Sequence, residues 1–493
     1  MDDSSVIKLL PQKDFLEPLF RASKANNMKQ TLEILIAVSR TTDGRLDLAS
    51  RNLLPAALEL TRSLPYPFCH QYIELCFKLL RNLCAGEMVN QSSFLFCNGV
   101  GILCDVLRSI RLASDSDSDH GISRTGLQVY ANVSLAGEEH QRAIWGCLFP
   151  NEFIELGKIP SQGTCDPLCM IIYTCCNGAP ELIAELCGNQ GLPVLAAIVR
   201  TSSAVGFKED WLKLLLSRIC LEEAYFPQIF SLFSQSVDSE NCGDVNQNAD
   251  YFSPEQAYLL SVVSEILSER IREIEVSKDL ALYVFEVFKR SVEVVNFDCR
   301  VKSGLPTGLA SIDVLGYSLN ILRDICCQDE HLVNSENVAV ALVSAGLLEL
   351  LLGLLHDLEA PAIIRKAMTQ SENQEAAASF SCSKVCPYKG FRRDIVSLIG
   401  NCAYRMKHAQ DEIREKNGIL LLLQHCVIDE DNPFLKEWAI WAVRNVLEGN
   451  VENHKVVTEL ELQGTVNVPE IAGLGLRVEV DETTRRAKLV NCP

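Results

Sequence analysis

Residues able to do chemistry are plentiful in this chain, but their spacing argues against most of the chemistry they could do. None of the 21 cysteines forms a C-x-x-C pair. The nearest approach to paired metal ligands is Cys382 with Cys386 in SCSKVCPYKG, and no second pair faces it to complete a tetrahedral thiolate site. Cys76, Cys84, Cys104, Cys220 and Cys326 sit inside apolar helical runs, where a free thiol acts as a small hydrophobe. The eight histidines are scattered with no partner at i+3 or i+4, and His70 and His408 are expected near helix ends, where capping is commoner than catalysis. There is no phosphate-cradling glycine loop, no G-x-S-x-G, no H-E-x-x-H and no EF-hand loop. The sequence therefore predicts no catalysis, no metal and no cofactor. Ser114, Ser116 and Ser118 lie among aspartates, where acid-directed phosphorylation is conceivable and a plain solvated loop is expected. The sequons at Asn90 and Asn132 matter only in an exported chain.

Binding chemistry is better represented. The stretch FLKEWAIWAVRNVLEGN, from Phe434 to Asn450, reads as a helix on whose wheel Ala439, Ile440, Ala442, Val443, Val446 and Leu447 make a buried face. Glu437, Trp438, Trp441, Arg444, Asn445 and Glu448 gather opposite. Trp441 lies one turn before Asn445, so an indole wall for an aliphatic or cationic side chain would stand beside an amide able to bond a peptide backbone at both NH and C=O. A similar stripe upstream, Gln71, Glu74, Lys78, Arg81 and Asn82, opposes Ile73, Cys76, Leu80 and Leu83. The candidate partner-binding residues are thus Glu437, Trp441, Arg444, Asn445 and Glu448, with Asn82, Lys78, Asn132 and Asn401. Against this, the same polar groups would also serve to bond neighbouring repeats. Trp438 is expected under the tail, Trp441 is read either way, and Arg444 can pair with Glu448 at i+4.

The elements that must position these residues repeat. A helix ending in a polar residue recurs as LLRNLCAG around Asn82, VYANVSLAG around Asn132, LLSRICLE around Arg218, ILRDICCQ around Asp324, LIGNCAYR around Asn401 and AVRNVLEG around Asn445, with a degenerate copy at Cys175. A glycine-led apolar helix follows, from Gly99, Gly191, Gly346 and Gly418. From Asn82 to Arg218 and from Asn401 to Asn445 successive copies fall roughly 43–50 residues apart, close to armadillo and HEAT units. The longer step from Arg218 to Asp324 leaves room for one more unit near Ser264, and the insertion stretches the step from Asp324 to Asn401. The glycines are expected to supply positive-φ turns. The reading is an all-α, armadillo/HEAT-like α-solenoid of degenerate repeats, because one helical hairpin cannot bury its apolar face without a neighbour. Residues 1–360 hold the repeats, with loops near 112–122 and 236–254. An insertion loop covers 361–390, the last repeats 391–465, and an extended tail 466–493. In the tail, Leu476, Val478 and Val480 alternate with polar residues before the turn DETT, predicting a β-hairpin that caps the open end.

Composition bounds the partner. A net charge of −19 disfavours tracking nucleic-acid phosphates. No apolar run suffices to span a bilayer, and MDDSSVIKLLPQKDF lacks a basic n-region and an apolar core, so a soluble cytoplasmic protein is expected.

The block from Phe391 to Asn453, and within it DEDNPFLKEWAIWAVRNVLEGNVEN, closely resembles the C-terminal domain of the ataxin-10 family, and the degenerate repeats before it agree with that family. Asn432, Pro433, Phe434, Glu437, Trp438, Trp441, Arg444, Asn445, Glu448 and Asn450 match its motif. The resemblance implies a non-enzymatic armadillo-repeat scaffold acting in cytokinesis, growth or survival. It also implies self-association and partners such as a G-protein β subunit and the intracellular N-acetylglucosamine transferase. An alternative is an import-receptor-like adaptor for basic peptides, because Trp441-Ala-Val-Arg-Asn445 resembles one unit of such receptors. Lys78, Gln128 and Ser397 stand where the other tryptophans would be.

Overall fold

The computed structural model describes residues 28–113, 117–234, 251–298, 300–327, 338–361, 363, 384–460, 476–480 and 487–491. The chain divides into two compact units, Met1–Leu280 and Ala281–Pro493. Both are mainly helical. The described helices of the first are α1 (Met28–Val38), α2 (Thr42–Ser50), α3 (Leu53–Ser63), α4 (His70–Leu83), α5 (Met88–Phe96), α6 (Gly99–Ala113), α7 (Asp117–Ser134), α8 (Glu138–Leu148), α9 (Asn151–Gly157), α10 (Gln162–Cys176), α11 (Pro180–Cys187), α12 (Leu192–Val205), α13 (Asp210–Leu216, continued by a π-helical turn over Ser217–Glu222), α14 (Phe226–Ser231) and α15 (Pro254–Arg270). Helix α16 (Lys278–Val294) leads into the second unit. There follow α17 (Ala310–Ile325), α18 (Val338–Ser344), α19 (Leu347–Asp357), α20 (Phe391–Ala403), α21 (Lys407–Glu415), α22 (Gly418–Gln424), α23 (Leu435–Leu447) and α24 (Val451–Thr458).

The helices that carry the recurring polar phrase pack on one another in chain order. In the first unit α4 packs on α7, α7 on α10 and α10 on α13, with α1, which precedes the first copy, packed on α4; in the second α17 packs on α20 and α20 on α23. Helix α4 shows why. Ile73, Cys76, Phe77, Leu80 and Leu83 recur at helical spacing and are fully buried, a stripe that no single helix can cover by itself. Helix α15 begins with Pro254 after Ser253, whose hydroxyl and Gln256 form a reciprocal capping box.

Four expectations change. The acidic loop predicted near 112–122 is mostly helix, since α6 runs to Ala113 and α7 starts at Asp117; Ser114 and Ser116 lie outside the described residues. The predicted helix from Phe434 to Asn450 is shorter, because Phe434 and Gly449 both adopt left-handed backbone and bound it at Leu435 and Leu447. The end of the expected insertion loop is built into the core: Lys384 N donates to Asp357 O (2.9 Å), Val385 N to Phe297 O (2.8 Å) and Lys389 N to Ser303 O (3.1 Å), with Cys386 and Tyr388 fully buried. Finally, the repeat glycines do different jobs. Gly346 takes φ 96° as expected, but before Gly418 it is Asn417 that turns left-handed, with φ 57°. Gly418 is there because a Cβ would lie 3.0 Å from Ile413 O and 2.8 Å from Leu352 Cδ2.

The remaining loop expectations, over 236–250 and 364–383, and the DETT turn fall outside the described residues. In the tail, β1 (Leu476–Val480) and β2 (Ala487–Asn491) pair antiparallel, with Leu476 opposite Asn491 and Val480 opposite Ala487.

Candidate functional site: an aromatic helix face and the amides behind it

Helix α23 buries a narrow stripe, Leu435, Ala439, Ala442 and Val446, against α20 and α22. The close approach to α20 depends on Gly400, where a Cβ would stand 3.1 Å from both Cα and Cβ of Ala442. The stripe is narrower than the sequence wheel predicts. Ile440 is 50 % exposed and lies outside it, because small residues at 439 and 442 bring the backbones together and turn position 440 outward. Trp438 is 39 % exposed and Trp441 53 %, so Trp438 is not buried as expected. The Arg444 guanidinium stacks over the Trp441 ring, 4.8 Å from its centroid, which fixes the indole from one side and leaves the other open. Glu437 and Glu448 are exposed beside them. Phe434, 69 % exposed, continues the apolar surface at the helix start.

The asparagines of the candidate set do something else. Asn445 Nδ2 donates to Gly400 O (3.0 Å), Asn401 Nδ2 to Arg323 O (3.0 Å) and Asn132 Nδ2 to Arg81 O (2.8 Å). Each accepting carbonyl immediately precedes the equivalent polar residue of the helix it packs on. Asn82 makes the corresponding bonds one step earlier, to Ile36 O (3.4 Å) and Ser39 Oγ (3.2 Å). These carbonyls belong to last helical turns, which lack intrahelical partners. The amides therefore stitch successive helices together. Lys78 pairs with Glu74 (2.6 Å) at a half-exposed position. Asn82, Lys78 and Asn132 lie in the first unit; Asn401 and the α23 residues lie together in the second.

Sequence reasoning missed a second set of amides. Gln91, Gln141 and Gln410 each stand nine residues after Asn82, Asn132 and Asn401, and their Nε2 groups donate to Cys84 O (3.0 Å), Ser134 O (3.1 Å) and Ala403 O (3.2 Å). Gln91 reaches further to Asn132 O (2.8 Å) and Gln410 to Asn445 O (2.9 Å), so each also clasps the next helix in the row. Asn453, eight residues after Asn445, donates to Val446 O (2.8 Å) in the same way. That fixed nine-residue spacing was the available signal.

A buried network sets where α23 begins. Arg392 is fully buried; Nη1 points at His425 Nε2 (3.0 Å), Nη2 donates to Glu359 O (2.5 Å), and Nε lies 3.8 Å from Asp429 Oδ2. His425 Nδ1 is 2.6 Å from Leu421 O, a group that only accepts, so Nδ1 carries the proton and Nε2 offers its lone pair to Arg392. Burial pushes His425 down to about 4. Asn432 accepts from Arg392 N (3.0 Å) and donates to Asp429 Oδ2 (3.1 Å), and Arg300 bridges Glu359 and Asp431. The turn leading into Phe434 is thereby fixed. Among the described residues no group of three His, Cys, Asp or Glu side chains could hold a metal ion. Cys386 is buried, and burial pushes its thiol up, which opposes thiolate ligation; Cys382 lies outside the described residues. No single described helix is long and apolar enough to cross a membrane.

Residues 391–489 match the family model described as "Spinocerebellar ataxia type 10 protein domain". Ataxin-10 of Xenopus tropicalis is 26 % identical over 420 residues, covering 82 % of this chain and 78 % of the relative. Ataxin-10 of Homo sapiens is 26 % identical over 419 residues, covering 83 % and 80 %. An ataxin-10 homolog of Dictyostelium discoideum is 44 % identical over 94 residues, or 19 % of this chain and 15 % of that one.

Proposed function

Because the chain belongs to the ataxin-10 family, we propose that it is a non-enzymatic scaffold that recruits protein partners through the outer face of α23. The observation that carries this reading is the pair of half-exposed indoles, Trp438 and Trp441, on a helix whose opposite stripe is already packed. Indoles with an arginine alongside are what partner-binding hot spots are commonly made of. The repeat architecture is an armadillo-like solenoid, supported by the in-order packing of the phrase-bearing helices and the recurring amide bonds between them. The tail hairpin caps its open end, and the protein works in the cytosol during cell division, growth or survival. Self-association, a G-protein β subunit and the intracellular N-acetylglucosamine transferase are the partners the family suggests.

The test is proximity labelling in dividing cells with wild type and with Trp438→Ala/Trp441→Ala, after matching helicity by circular dichroism. Loss of a discrete partner set supports the reading, and an unchanged set refutes it. Asn445→Ala is unsuitable as the binding mutant, since its amide bonds Gly400 O.

A further inference from the structure

The chain carries a net charge of −19, yet one surface of the first unit gathers arginines. Helices α1 and α2 both pack on α4, and α4 packs on α7. Arg81, in the last turn of α4, donates through Nε (3.3 Å) and Nη2 (3.1 Å) to Asn82 Oδ1, and through Nη1 to Gln128 Oε1 on α7 (3.0 Å). Arg124 is exposed one turn before Gln128. Its stem lies across the start of α10, where a Cβ on Gly163 would stand 3.1 Å from Arg124 Cδ. Toward α1, Asn82 Nδ2 donates to Ser39 Oγ (3.2 Å), and Arg45 Nη1 reaches Ser39 O (3.4 Å) and Arg40 O (3.3 Å). The exposed Arg40 therefore stands in the turn between α1 and α2, beside the end of α4.

Among the described residues none of these four guanidiniums pairs with a carboxylate; Glu74 is taken by Lys78 (2.6 Å) and Asp47 by Arg51 (3.0 Å). Burial first, then Arg124 and Arg40, hold the Arg81 guanidinium below its ordinary value, so the like charges act on one another. Asn82 and Gln128 use three of the five Arg81 N–H groups and supply only neutral oxygens. A carboxylate laid here would relieve the repulsion and accept from the N–H groups left over. Past α7 the sign reverses. Asp166 on α10 feels Arg124 on one side and Glu209 and Asp210 on the other, so the basic patch ends there.

We propose that this surface binds an extended acidic segment of a partner protein, with its carboxylates seated on Arg40, Arg81 and Arg124. Packed helices stand about 10 Å apart and an extended chain advances about 3.3 Å per residue, so an acid at about every third residue meets one helix each. The net charge of −19 favours this occupant over nucleic acid or an anionic membrane. Those polyanions extend past the patch and meet the acidic remainder, whereas a segment of about nine residues ends with it.

The test is fluorescence anisotropy of a labelled Glu-Gly-Ser repeat, about nine residues long, titrated with the full-length chain. Binding should saturate, weaken as salt is raised, and vanish when lysine replaces glutamate in the peptide. In Arg40→Gln/Arg124→Gln it should weaken at least about tenfold. Neither of those side chains makes a hydrogen bond or ion pair among the described residues, so the fold has no such contact to lose. Arg62→Gln/Arg142→Gln removes the same charge from ion pairs elsewhere in the unit and should leave binding unchanged. No anisotropy change at the highest soluble protein concentration, equal affinity in Arg40→Gln/Arg124→Gln, or an equal loss in both double variants would overturn the inference. So would tighter binding of an oligothymidylate or of phosphatidylserine vesicles at the same arginines.

Discussion

Replacing Gln410 with alanine should loosen the end of α23 far more than its single side chain suggests. Gln410 is buried, and its Nε2 lies within bonding distance of three carbonyls, Ala403 O (3.2 Å), Asn445 O (2.9 Å) and Glu448 O (3.2 Å). An amide nitrogen has two protons, so about two of these bonds are made at once. Its Oε1 accepts from Asn450 (3.3 Å), but that donor keeps Asp411 (2.9 Å) after the substitution. Two bonds are therefore lost, each stranding an acceptor at a cost of about 1–3 kcal/mol, and water reaching the helix end recovers part of this. The net loss is about 2–4 kcal/mol, which corresponds to opening about 30- to 1,000-fold more often. Hydrogen exchange of the full chain, read by mass spectrometry on peptides spanning α20–α21 and α23–α24, measures this directly. Lys78→Ala is the control: its ion pair with Glu74 is about 40 % exposed on both sides, so it is worth less than about 1 kcal/mol. An acceleration below about threefold in the α23–α24 peptides, well under the tenfold that about 1.4 kcal/mol gives, would refute the reasoning.

Other outcomes follow from the same contacts. His425 is neutral in the fold, with its ionisation pushed down to about 4, and takes up a proton in the unfolded chain below about 6.5. Its contribution is complete above the unfolded value and is lost as pH falls from about 6.5 to about 4. Urea midpoints should drop across that window, and His425→Gln should flatten the drop; an unchanged slope would contradict the assignment. Gly400→Val should destabilise the second unit by about 1–3 kcal/mol, because its side chain must displace Ala442 and pull Asn445 off Gly400 O. Thermal unfolding equal to wild type would mean α20 and α23 are less closely packed than described. Asn132→Ala should cost about 1–2 kcal/mol in the first unit, seen as faster exchange at the C-terminal end of α4, because Arg81 O loses its donor.

Much of this was legible in the sequence, and the failures have identifiable causes. The helices carrying Asn82, Asn132, Asn401 and Asn445 are where the recurring phrase placed them, since a 3.6-residue apolar period bounded by turns is a strong local signal. What those asparagines do was not legible. A polar residue on a helix flank looks the same in sequence whether it faces a ligand or the carbonyl of a neighbouring helix, and only packing distinguishes Asn445 bonding Gly400 O from Asn445 awaiting a peptide. Ile440 was misplaced for a related reason: a helical wheel assigns a face by hydrophobicity, whereas the observed face is set by close approach at Gly400 and Ala442. Arg392 escaped notice because a charged residue is rarely buried without partners, and its partners, His425, Asp429 and Glu359, lie more than thirty residues away. Trp441, in contrast, was open to either reading and is half exposed, with Arg444 over its ring rather than pairing with Glu448 as its first role.

The central claim, that the α23 face is a protein-binding surface, is tested most directly by site-specific photo-crosslinking in cells. A benzophenone amino acid at position 441 is compared with one at position 68, whose native phenylalanine is 87 % exposed in the first unit. The account predicts discrete covalent protein adducts at 441 that are absent at 68. No adduct at 441, or the same adducts at both positions, would contradict it.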